Sequence, residues 1–255
     1  MTAPDVAALF RMPGRVAIIT GASRGLGASI ARGFAAAGAS VVVSSRKLDA
    51  CEAVAAHIRA DGGDALALAC HMGDRAQIEA LVQQSAAHFG RIDCIVNNAA
   101  TPLRFGVADF DEAMWQKSLD VNVKGPLELV HAAIPYLSMS DCATVVNVLS
   151  VGGVRGSLSR LGYGSAKAAL RHATESVAAE LAPIGIRVNA IAPGPFATTM
   201  LTSADEAFQA GASDNTLLKR IAAPDEIIGA ALFLATPASS FVTGAVLAVD
   251  GGLLA

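Results

Sequence analysis

Residues 16–27 read VAIITGASRGLG, an apolar run that leads into a turn with three glycines. The run predicts a buried strand, and the Ala-rich stretch Arg24–Ala37 that follows predicts a helix. Gly21 allows a tight exit from the strand, and the later glycines let a phosphate and the sheet approach the backbone closely. The helix N-terminus adds free N–H groups and the positive end of its dipole. The stretch therefore predicts a pyrophosphate cradle built from Gly21, Ser23, Arg24, Gly25, Leu26 and Gly27.

The spacing of this turn is G-x-x-x-G-x-G and not G-x-G-x-x-G, so the turn alone is a moderate signal. A plain strand-to-helix turn with a glycine cap is the alternative interpretation. The position of the turn, directly after the first strand and before the first helix, favours the phosphate site.

Strand and helix patterns alternate through the rest of the chain. Further apolar runs occupy 41–43, 65–69, 92–96, 144–149, 187–191 and 245–249, and helical patterns occupy 47–60, 74–89, 111–137, 162–181 and 224–234. Continuous apolar strands indicate burial on both faces of a sheet. This alternation predicts an α/β fold with a Rossmann-like, doubly wound parallel sheet of about seven strands and helices on both faces, as a single domain over residues 1–255.

One segment, Pro195–Lys219, breaks this rhythm because it is polar and carries only scattered apolar residues. A long irregular stretch in a compact domain is usually functional. We expect a mobile substrate lid with short helices at about residues 195–220.

Composition excludes several classes of protein. Of 255 residues, 53% are hydrophobic and 16% are charged, unlike a disordered chain, and the net charge of -3 gives no basic groove for nucleic acid. The four cysteines have no C-x-x-C spacing and the histidines form no H-E-x-x-H motif, so no metal site is expected. Cysteines without a disulfide framework favour a reducing, cytoplasmic setting.

The uncharged stretch Ile227–Val249 is long enough to span a bilayer. Residues 236–240, which read TPASS, interrupt it, so the stretch predicts a buried helix, a turn and a buried strand. At the start of the chain, Asp5, Arg11 and Arg15 interrupt any signal-peptide core. No membrane partner is expected.

The second predicted strand ends in Ser44, Ser45, Arg46 and Lys47, with no acidic residue. A carboxylate at this place binds a ribose 2′-hydroxyl, whereas Ser45 and Arg46 would accept a 2′-phosphate. Arg24 faces the same region. The pattern favours NADP(H) over NAD(H); the alternative is that Arg46 and Lys47 only solvate the start of a helix.

A third group of residues suggests proton transfer. Ser150 ends the fifth strand, and Tyr163 and Lys167 lie four residues apart on one predicted helix face. An ammonium beside a phenol lowers the phenol pKa and makes Tyr163 a better acid or base near neutral pH. Ser150 could hydrogen-bond the substrate oxygen, and Asn122, inside a long predicted helix, could hold a water that links Lys167 to solvent. Taken singly, each residue is equally compatible with a surface pair, a strand-end cap or a helix kink.

Together these motifs resemble the short-chain dehydrogenase/reductase family. The matches are TGASRGLG at 20–27, NNAA at 97–100, Asn122, Ser150, the Y-x-x-x-K of Tyr163 and Lys167, and PG at 193–194. They stand in the family's order and cover residues 15–252, and the C-terminal Val242-Thr243-Gly244 and Asp250-Gly251-Gly252 are also similar to it.

The resemblance implies an oxidoreductase that acts on a small-molecule carbonyl or alcohol. Tyr163 would be the acid or base, Lys167 would bind the nicotinamide ribose and lower the tyrosine pKa, Ser150 would orient the substrate oxygen, and Asn122 would anchor a relay water. A homotetramer is the family's usual state. Further residues are implied along the cofactor: His71, Met72, Asn97, Asn98, Ala99, Ala100, Pro193, Gly194, Phe196 and Thr198.

Three positions depart from the family pattern. His71 stands where the family commonly has an adenine-contacting Asp, for which Asp74 could substitute weakly. Ala100 ends a motif that usually ends in Gly. Phe196 replaces a branched aliphatic residue and could reshape the nicotinamide pocket.

The substrate is not defined by these motifs. Arg104, Arg155 and Arg160 lie in loops that would wall the pocket, where one of them could meet an acidic group of the substrate. We expect their charges to be solvated instead. A 3-oxoacyl-thioester reductase is the leading specific alternative, beside reductases of simple ketones, sterols or sugars. A non-catalytic NADP(H)-binding regulator, a partner-binding protein without cofactor and an epimerase or dehydratase are the alternatives from other classes.

Overall fold

Seven parallel strands form one sheet at the centre of the protein. The computed structural model describes residues 5–156, 158–202 and 211–255. The strands are β1 Val16–Thr20, β2 Ser40–Ser45, β3 Asp64–Ala69, β4 Cys94–Asn97, β5 Thr144–Val148, β6 Arg187–Pro193 and β7 Val246–Val249. All six neighbouring pairs are parallel.

The strand order is β3-β2-β1-β4-β5-β6-β7, so the direction of winding reverses between β1 and β4. In open α/β sheets, ligands bind in the crevice that this reversal leaves at the carboxyl ends of the strands. The glycine turn follows β1 and the NNAA motif follows β4. The topology therefore places both motifs at the switch point.

Helices connect the strands and cover both faces of the sheet. They are α1 Gly25–Ala36, α2 Leu48–Ala60, α3 Arg75–Phe89, α4 Glu112–Leu119, α5 Gly125–Leu137, α6 Leu161–Leu181, α7 Thr199–Thr202 and α8 Ile228–Ala235. One core contains α1, α2 and α8, with residues such as Phe34 and Leu234 buried on one face of the sheet. The other core contains α3, α5 and α6, with Leu81 and Leu129 against the opposite face. The predicted doubly wound fold is confirmed.

Burial along the strands follows the apolar pattern. All residues of β1, β4 and β5 are buried, whereas β3 and β7, at the two edges, are partly exposed. Strands in the middle of a doubly wound sheet lose both faces to helices, which is why their sequences are continuous apolar runs. The edge strands keep one side uncovered within this chain.

The long predicted helix at 111–137 is divided in the structure. Residues Asp120–Lys124 form a π-helical segment between α4 and α5, and Pro126 follows it in the first turn of α5. Proline has no N–H and cannot donate to the carbonyl four residues before it, which here belongs to Asn122. Gly125 lets the next turn pack closely, because a Cβ there would lie within contact of the Met72 carbonyl oxygen.

The lid prediction falls only partly on described residues. Residues 203–210 lie outside them, and within the described part Thr199–Thr202 is helical, as expected of a segment with short helices. The uncharged stretch 227–249 forms α8, a turn and β7 in the predicted order, but β7 is an edge strand and is only partly buried, so the prediction of a buried strand is wrong. Within the described ranges, no helix combines the length and the hydropathy that crossing a membrane requires.

A buried carboxylate closes the opposite, amino-terminal edge of the sheet. Asp93 is 1% exposed, and its two oxygens accept hydrogen bonds from the Val16 amide at 2.8 Å, from the Ser140 hydroxyl at 2.6 Å and from two nitrogens of Arg91 at 2.7 and 2.8 Å. Burial raises the pKa of Asp93, but these hydrogen bonds outweigh burial and leave it below its ordinary value. The carboxylate thus ties β1, β4 and the loop before β5 together.

Asp93→Asn should lower the free energy of unfolding by about 2–3 kcal/mol, because hydrogen bonds to a charged group are lost in a buried place. Since the folded-state pKa of Asp93 is depressed, its stabilisation is present above the unfolded pKa and is lost as the pH falls through the folded pKa. The difference between wild type and variant should therefore shrink below about pH 4. Denaturant unfolding at several pH values measures this. Asp64→Asn, at an exposed carboxylate bonded to Ser40, is the control and should cost less than about 0.5 kcal/mol. An equal loss in both variants would contradict the assignment.

Candidate active site

The glycine turn touches the end of β4 so closely that side chains are excluded. A Cβ at Gly21 would lie 2.7 Å from the Ala99 Cα, and one at Gly27 would lie 2.4 Å from the Asn98 Nδ2. Gly21 and Gly25 also have positive φ angles of 64° and 56°. The turn therefore needs glycine both for its backbone conformation and for its contact with Asn98 and Ala99.

Hydrogen bonds lock this contact. The Thr20 hydroxyl accepts from the amides of Asn98 and Ala99, both at 3.1 Å, and donates to the Val96 carbonyl at 3.2 Å. The Asn98 side chain donates to the carbonyls of Thr20 at 2.9 Å and Gly21 at 3.1 Å. The ends of β1 and β4 are thus held together by one hydroxyl and one amide.

The N-terminus of α1 also meets the segment that follows β6. A Cβ at Gly25 would lie 3.2 Å from the Thr198 Cγ2, so the PG segment and the glycine turn lie side by side, as the predicted cofactor residues require. Gly194 packs on Asp250, whose Cα would be 2.6 Å from an added Cβ. Phe196 is buried and packs in the core on the α1 side.

These features fit a phosphate-bearing cofactor. The cradle at Gly21, Gly25 and Gly27 has no side chains, and its backbone amides stand at the start of a twelve-residue helix. Ser23 is half-buried and Arg24 is exposed beside it. A Cβ on any of the three glycines would meet Ala99, Asn98 or Thr198, so the close packing of the turn requires glycine.

The predicted adenine-ribose end is more open. Arg46 is exposed at the end of β2, and the Ser45 hydroxyl lies 3.1 Å from the Cys51 sulfur. The buried Ser44 hydroxyl has no partner among the described residues. His71 accepts a bond from the Gly73 amide at 3.1 Å, and Met72 is buried in the core on the α3 side.

Asp74, suggested above as a weak substitute for the family's adenine-contacting residue, has another use. Its carboxylate accepts from the backbone amide of Gln77 at 3.2 Å and from the Gln77 side chain at 2.7 Å, and so caps α3. The hydrogen bonds from Gln77 lower the pKa of Asp74. Capping accounts for this aspartate without a ligand.

Tyr163 and Lys167 lie together in the first two turns of α6, as predicted. Tyr163 is 6% and Lys167 is 1% exposed, and the Lys167 Nζ lies 5.8 Å from the Tyr163 ring centroid. The Nζ donates a hydrogen bond to the Val148 carbonyl at 2.6 Å, at the end of β5. An ammonium is thus buried next to a phenol at the carboxyl edge of the sheet.

Ser150 completes this group from the end of β5. A side-chain hydrogen bond joins Ser150 and Tyr163, and the Ser150 Oγ accepts from the Gly152 amide at 3.1 Å. The turn Val151–Gly153 packs on α6 so closely that a Cβ at Gly153 would lie 2.8 Å from the Lys167 Cβ. This contact sets the distance between the serine and the helix.

The pKa values show how burial acts on the pair. Burial raises the pKa of Tyr163, while the hydrogen bond with Ser150 and the charge of Arg160 act to lower it. Burial lowers the pKa of Lys167 to about 8. Overall the pKa of Tyr163 lies above its ordinary value, and the lowering of this pKa by Lys167 stays a prediction.

Arg160, one of the three arginines expected to be solvated, lies beside this group. Its Cζ lies 5.8 Å from the Tyr163 ring centroid, and the side chain is half-buried. A backbone bridge with Phe105 holds it there. Arg160 is therefore less exposed than Arg104 and Arg155, which are both exposed.

Asn122 lies in the π-helical segment and is fully buried. Its side chain accepts from the Thr101 amide at 3.1 Å and donates to the Thr101 carbonyl at 3.1 Å and to the Ser118 carbonyl at 2.8 Å. The amide is thus engaged in holding the chain that leaves NNAA. The Asn122 backbone lies in the π-helical segment, where Pro126 cannot donate to its carbonyl.

Asn97 faces away from the cradle. Its Nδ2 donates to the Asn147 Oδ1 at 2.9 Å, and Asn147 donates to the Thr174 hydroxyl at 2.9 Å. These two buried hydrogen bonds join β4, β5 and α6 beneath Lys167. Among the described residues, no three His, Cys, Asp or Glu side chains are grouped as a metal site requires.

Comparison with known proteins agrees with this geometry. The family model described as enoyl-(acyl carrier protein) reductase matches residues 21–254. The cis-4-hydroxycyclohexanecarboxylate dehydrogenase of Sinomonas cyclohexanicum is 36% identical over 243 residues, which cover 94% of this chain and 97% of that protein.

Two solved structures share the whole fold. A gluconate 5-dehydrogenase from Burkholderia cenocepacia J2315, in complex with NADP and tartrate, is 34% identical with a TM-score of 0.92, over 97% of this chain and 98% of that one. A 7α-hydroxysteroid dehydrogenase, complexed with NADH and 7-oxo glycochenodeoxycholic acid, is 33% identical with a TM-score of 0.94, over 99% of this chain and 98% of that one. With this fold, these motifs and these relatives, the chain belongs to the short-chain dehydrogenase/reductase family of oxidoreductases.

Proposed function

We propose that this protein transfers a hydride between NADP(H) and a small-molecule carbonyl or alcohol, with Ser150, Tyr163, Lys167 and Asn122 as the catalytic group. The observation that carries the proposal is the buried Tyr163–Lys167 pair, joined to Ser150, at the carboxyl edge beside the side-chain-free glycine cradle. Such an edge is where ligands bind in doubly wound sheets.

The cofactor would lie along the switch-point crevice. Its pyrophosphate would bind at Gly21, Ser23, Arg24, Gly25, Leu26 and Gly27, and its ribose and nicotinamide would lie near Asn98, Ala99, Ala100, Pro193, Gly194, Phe196 and Thr198. His71 and Met72 would line the adenine end. When bound, the nicotinamide supplies or accepts the hydride.

The protein's own part is one proton transfer and the positioning of the substrate. Tyr163 gives its phenolic proton to the substrate oxygen during reduction and takes a proton from the alcohol during oxidation. Ser150 hydrogen-bonds the same oxygen and opposes, with Arg160, the increase in the Tyr163 pKa that burial causes. General acid–base catalysis of this kind is worth about two to four orders of magnitude in rate.

Lys167 would bind the ribose and return the proton. Its pKa of about 8 lies near neutral pH, so it can both hold and release a proton. Asn122 would hold a water next to it, and the buried position of Lys167 requires such a water for exchange with solvent. Mutation of the Asn122 side chain would act by removing its hydrogen bonds with the Thr101 backbone.

The preference for NADP(H) over NAD(H) rests on Arg46 and Ser45. Arg46 is exposed at the end of β2, where the chain offers no carboxylate to a ribose hydroxyl. The related structures contain one cofactor of each kind, so the proposed preference rests on this chain's own residues alone.

The proposed function is compatible with two classes of substrate. A 3-oxoacyl thioester is favoured by the acyl carrier protein in the description of the matching family. The relatives named for hydroxycyclohexanecarboxylate and gluconate favour hydroxy acids instead. A non-catalytic NADP(H)-binding regulator is the alternative from another class, which the intact Tyr163 and Lys167 disfavour.

We further propose a single domain over 1–255, a substrate lid at about 195–220, a homotetramer and a cytoplasmic location. Exposed apolar side chains such as Phe241 and Met139 support assembly, since copies of the chain would cover them. The described cysteines are all free thiols, which a reducing compartment maintains.

NADPH should raise the melting temperature more than NADH at equal concentration, because a ligand that binds only the folded state stabilises it by RT ln(1 + [L]/Kd). Arg46→Asp should reverse this order, since a carboxylate repels the 2′-phosphate and accepts a bond from the 2′-hydroxyl. A thermal-shift titration measures both. Lys117→Asp, the same change of charge on exposed α4, should leave the order unchanged. A larger shift with NADH in the wild type would contradict the role of Arg46.

Tyr163→Phe should reduce kcat at least about a hundredfold while leaving NADPH affinity nearly unchanged, because only the transferred proton is removed. Oxidation of NADPH with a panel of ketones, oxo acids and a 3-oxoacyl thioester gives the rate. Tyr136→Phe, at the other of the chain's two tyrosines, is the matched control and should keep full activity. More than about a tenth of the wild-type rate in Tyr163→Phe would overturn the assignment.

Lys167→Met should abolish turnover but should show a pH-dependent stability relative to the wild type. A fall in the Lys167 pKa from 10.5 to about 8 corresponds to about 3 kcal/mol of burial cost below pH 8. Because the folded-state pKa is depressed, that cost is relieved as the pH rises from about 8 to 10.5, so the wild type should gain stability relative to the variant. Unfolding at pH 7 to 10 measures the difference, and Lys124→Met, at a 61% exposed lysine, should show none. A difference independent of pH would contradict the burial of the ammonium.

A further inference from the structure

Arg160 is a cation held at the mouth of the proposed site. It directly precedes α6, three residues before Tyr163, and its guanidinium Cζ lies 5.8 Å from the Tyr163 ring centroid. The bridge to Phe105 and the hydrogen bond from the Leu161 amide to the Phe105 carbonyl, 3.2 Å long, fix its backbone. Phe105 itself is buried and packs against Gly162, so this corner is rigid.

The charge of Arg160 is not neutralised within the described parts of the chain. The ion pairs found there join other arginines to carboxylates, and none includes Arg160. Burial lowers the pKa of Arg160, and the positive charge of Arg104 lowers it further. A half-buried cation beside a like charge is costly unless an anion joins it.

The chemistry of guanidinium selects the anion. Its planar fork matches a carboxylate with two parallel hydrogen bonds, which are stronger than neutral ones. The cofactor phosphates belong at the α1 N-terminus after β1, whereas Arg160 contacts the segments that follow β4 and β5. We propose that Arg160 binds a carboxylate of the substrate, so that the preferred substrates are hydroxy acids and oxo acids. This inference rests on the proposed function, because it places the carboxylate and the reacting oxygen around the same tyrosine.

The proposal separates the two substrate classes left open above. A 3-oxoacyl thioester is neutral beside its reacting carbonyl, and it offers Arg160 no charge. An oxo acid offers a carboxylate that binds Arg160 while its carbonyl lies against Ser150 and Tyr163. Arg160 would then be a specificity-determining residue as well as a charge acting on Tyr163.

The test uses cyclohexanecarboxylate as a probe and its neutral amide, cyclohexanecarboxamide, as the matched compound. Each is titrated in a thermal-shift assay, with and without saturating NADPH, against the wild type, Arg160→Leu, Arg160→Lys and Arg155→Leu. Arg155 is the control, because it is an exposed arginine of the neighbouring turn. The bridge between Arg160 and Phe105 is formed by backbone atoms, so we expect the Arg160 variants to fold. Their unfolding curves in the absence of probe verify that they do.

The carboxylate should stabilise the wild type and Arg155→Leu equally, and the amide should stabilise neither. Arg160→Leu should bind the carboxylate about tenfold to a hundredfold more weakly, as expected for the loss of a charge-assisted hydrogen bond. Arg160→Lys should lie between them, because it keeps the charge and loses the fork.

Three results would overturn the proposal: no stabilisation of the wild type by the carboxylate, equal weakening in Arg155→Leu, or equal stabilisation by the amide. The titration without NADPH measures the contribution of Arg160 to carboxylate binding independently of the cofactor. A protein that binds neither dinucleotide but shows Arg160-dependent carboxylate binding would overturn the proposed function alone. A protein that binds NADPH and reduces carbonyls without discriminating acid from amide would overturn this inference alone.

Discussion

Close approach of two backbones, the glycine turn after β1 and the Asn98–Ala99 segment after β4, governs the geometry of the rest of the site. Gly21 and Gly27 have no room for a Cβ, and the Thr20 hydroxyl bonds both amides across the gap. Because β1 and β4 flank the point where the strand order reverses, this contact closes the base of the crevice. The proposed phosphate cradle and the proposed catalytic group both lie at this carboxyl edge of the sheet.

The catalytic side of the crevice is held by less favourable interactions. Lys167 is almost completely buried, with Val148 accepting one of its protons, and Tyr163 is buried against it. Burying an ammonium costs free energy, which the apolar cores and the Asn97–Asn147–Thr174 chain offset elsewhere. An amino group whose pKa is near neutral is useful for catalysis and costly for stability, as is common at active sites.

Most of the fold follows from local patterns that a sequence displays. Continuous Val and Ile runs with Ala-rich helices between them predict the seven parallel strands, and their ends fall within a few residues of the observed ones. Tyr163 and Lys167 meet because i and i+4 positions share a helix face. The π-helical segment at Asp120–Lys124 was not foreseen, although Pro126 was a signal, because a proline near a helix turn has several outcomes. The position of Arg160 depends on a long-range bridge to Phe105, and the cap at Asp74 on side-chain geometry, which periodicity does not encode.

The most direct test of the account follows the hydride itself. Reduced cofactor carrying deuterium at its transferable C4 position is incubated with the protein and an accepted carbonyl compound, and the product is analysed by mass spectrometry. The account predicts that deuterium is found on the carbinol carbon of the product, with turnover dependent on the intact catalytic group. An isomerised substrate with deuterium returned to the cofactor, or bound cofactor that never loses its label to any carbonyl, would contradict it.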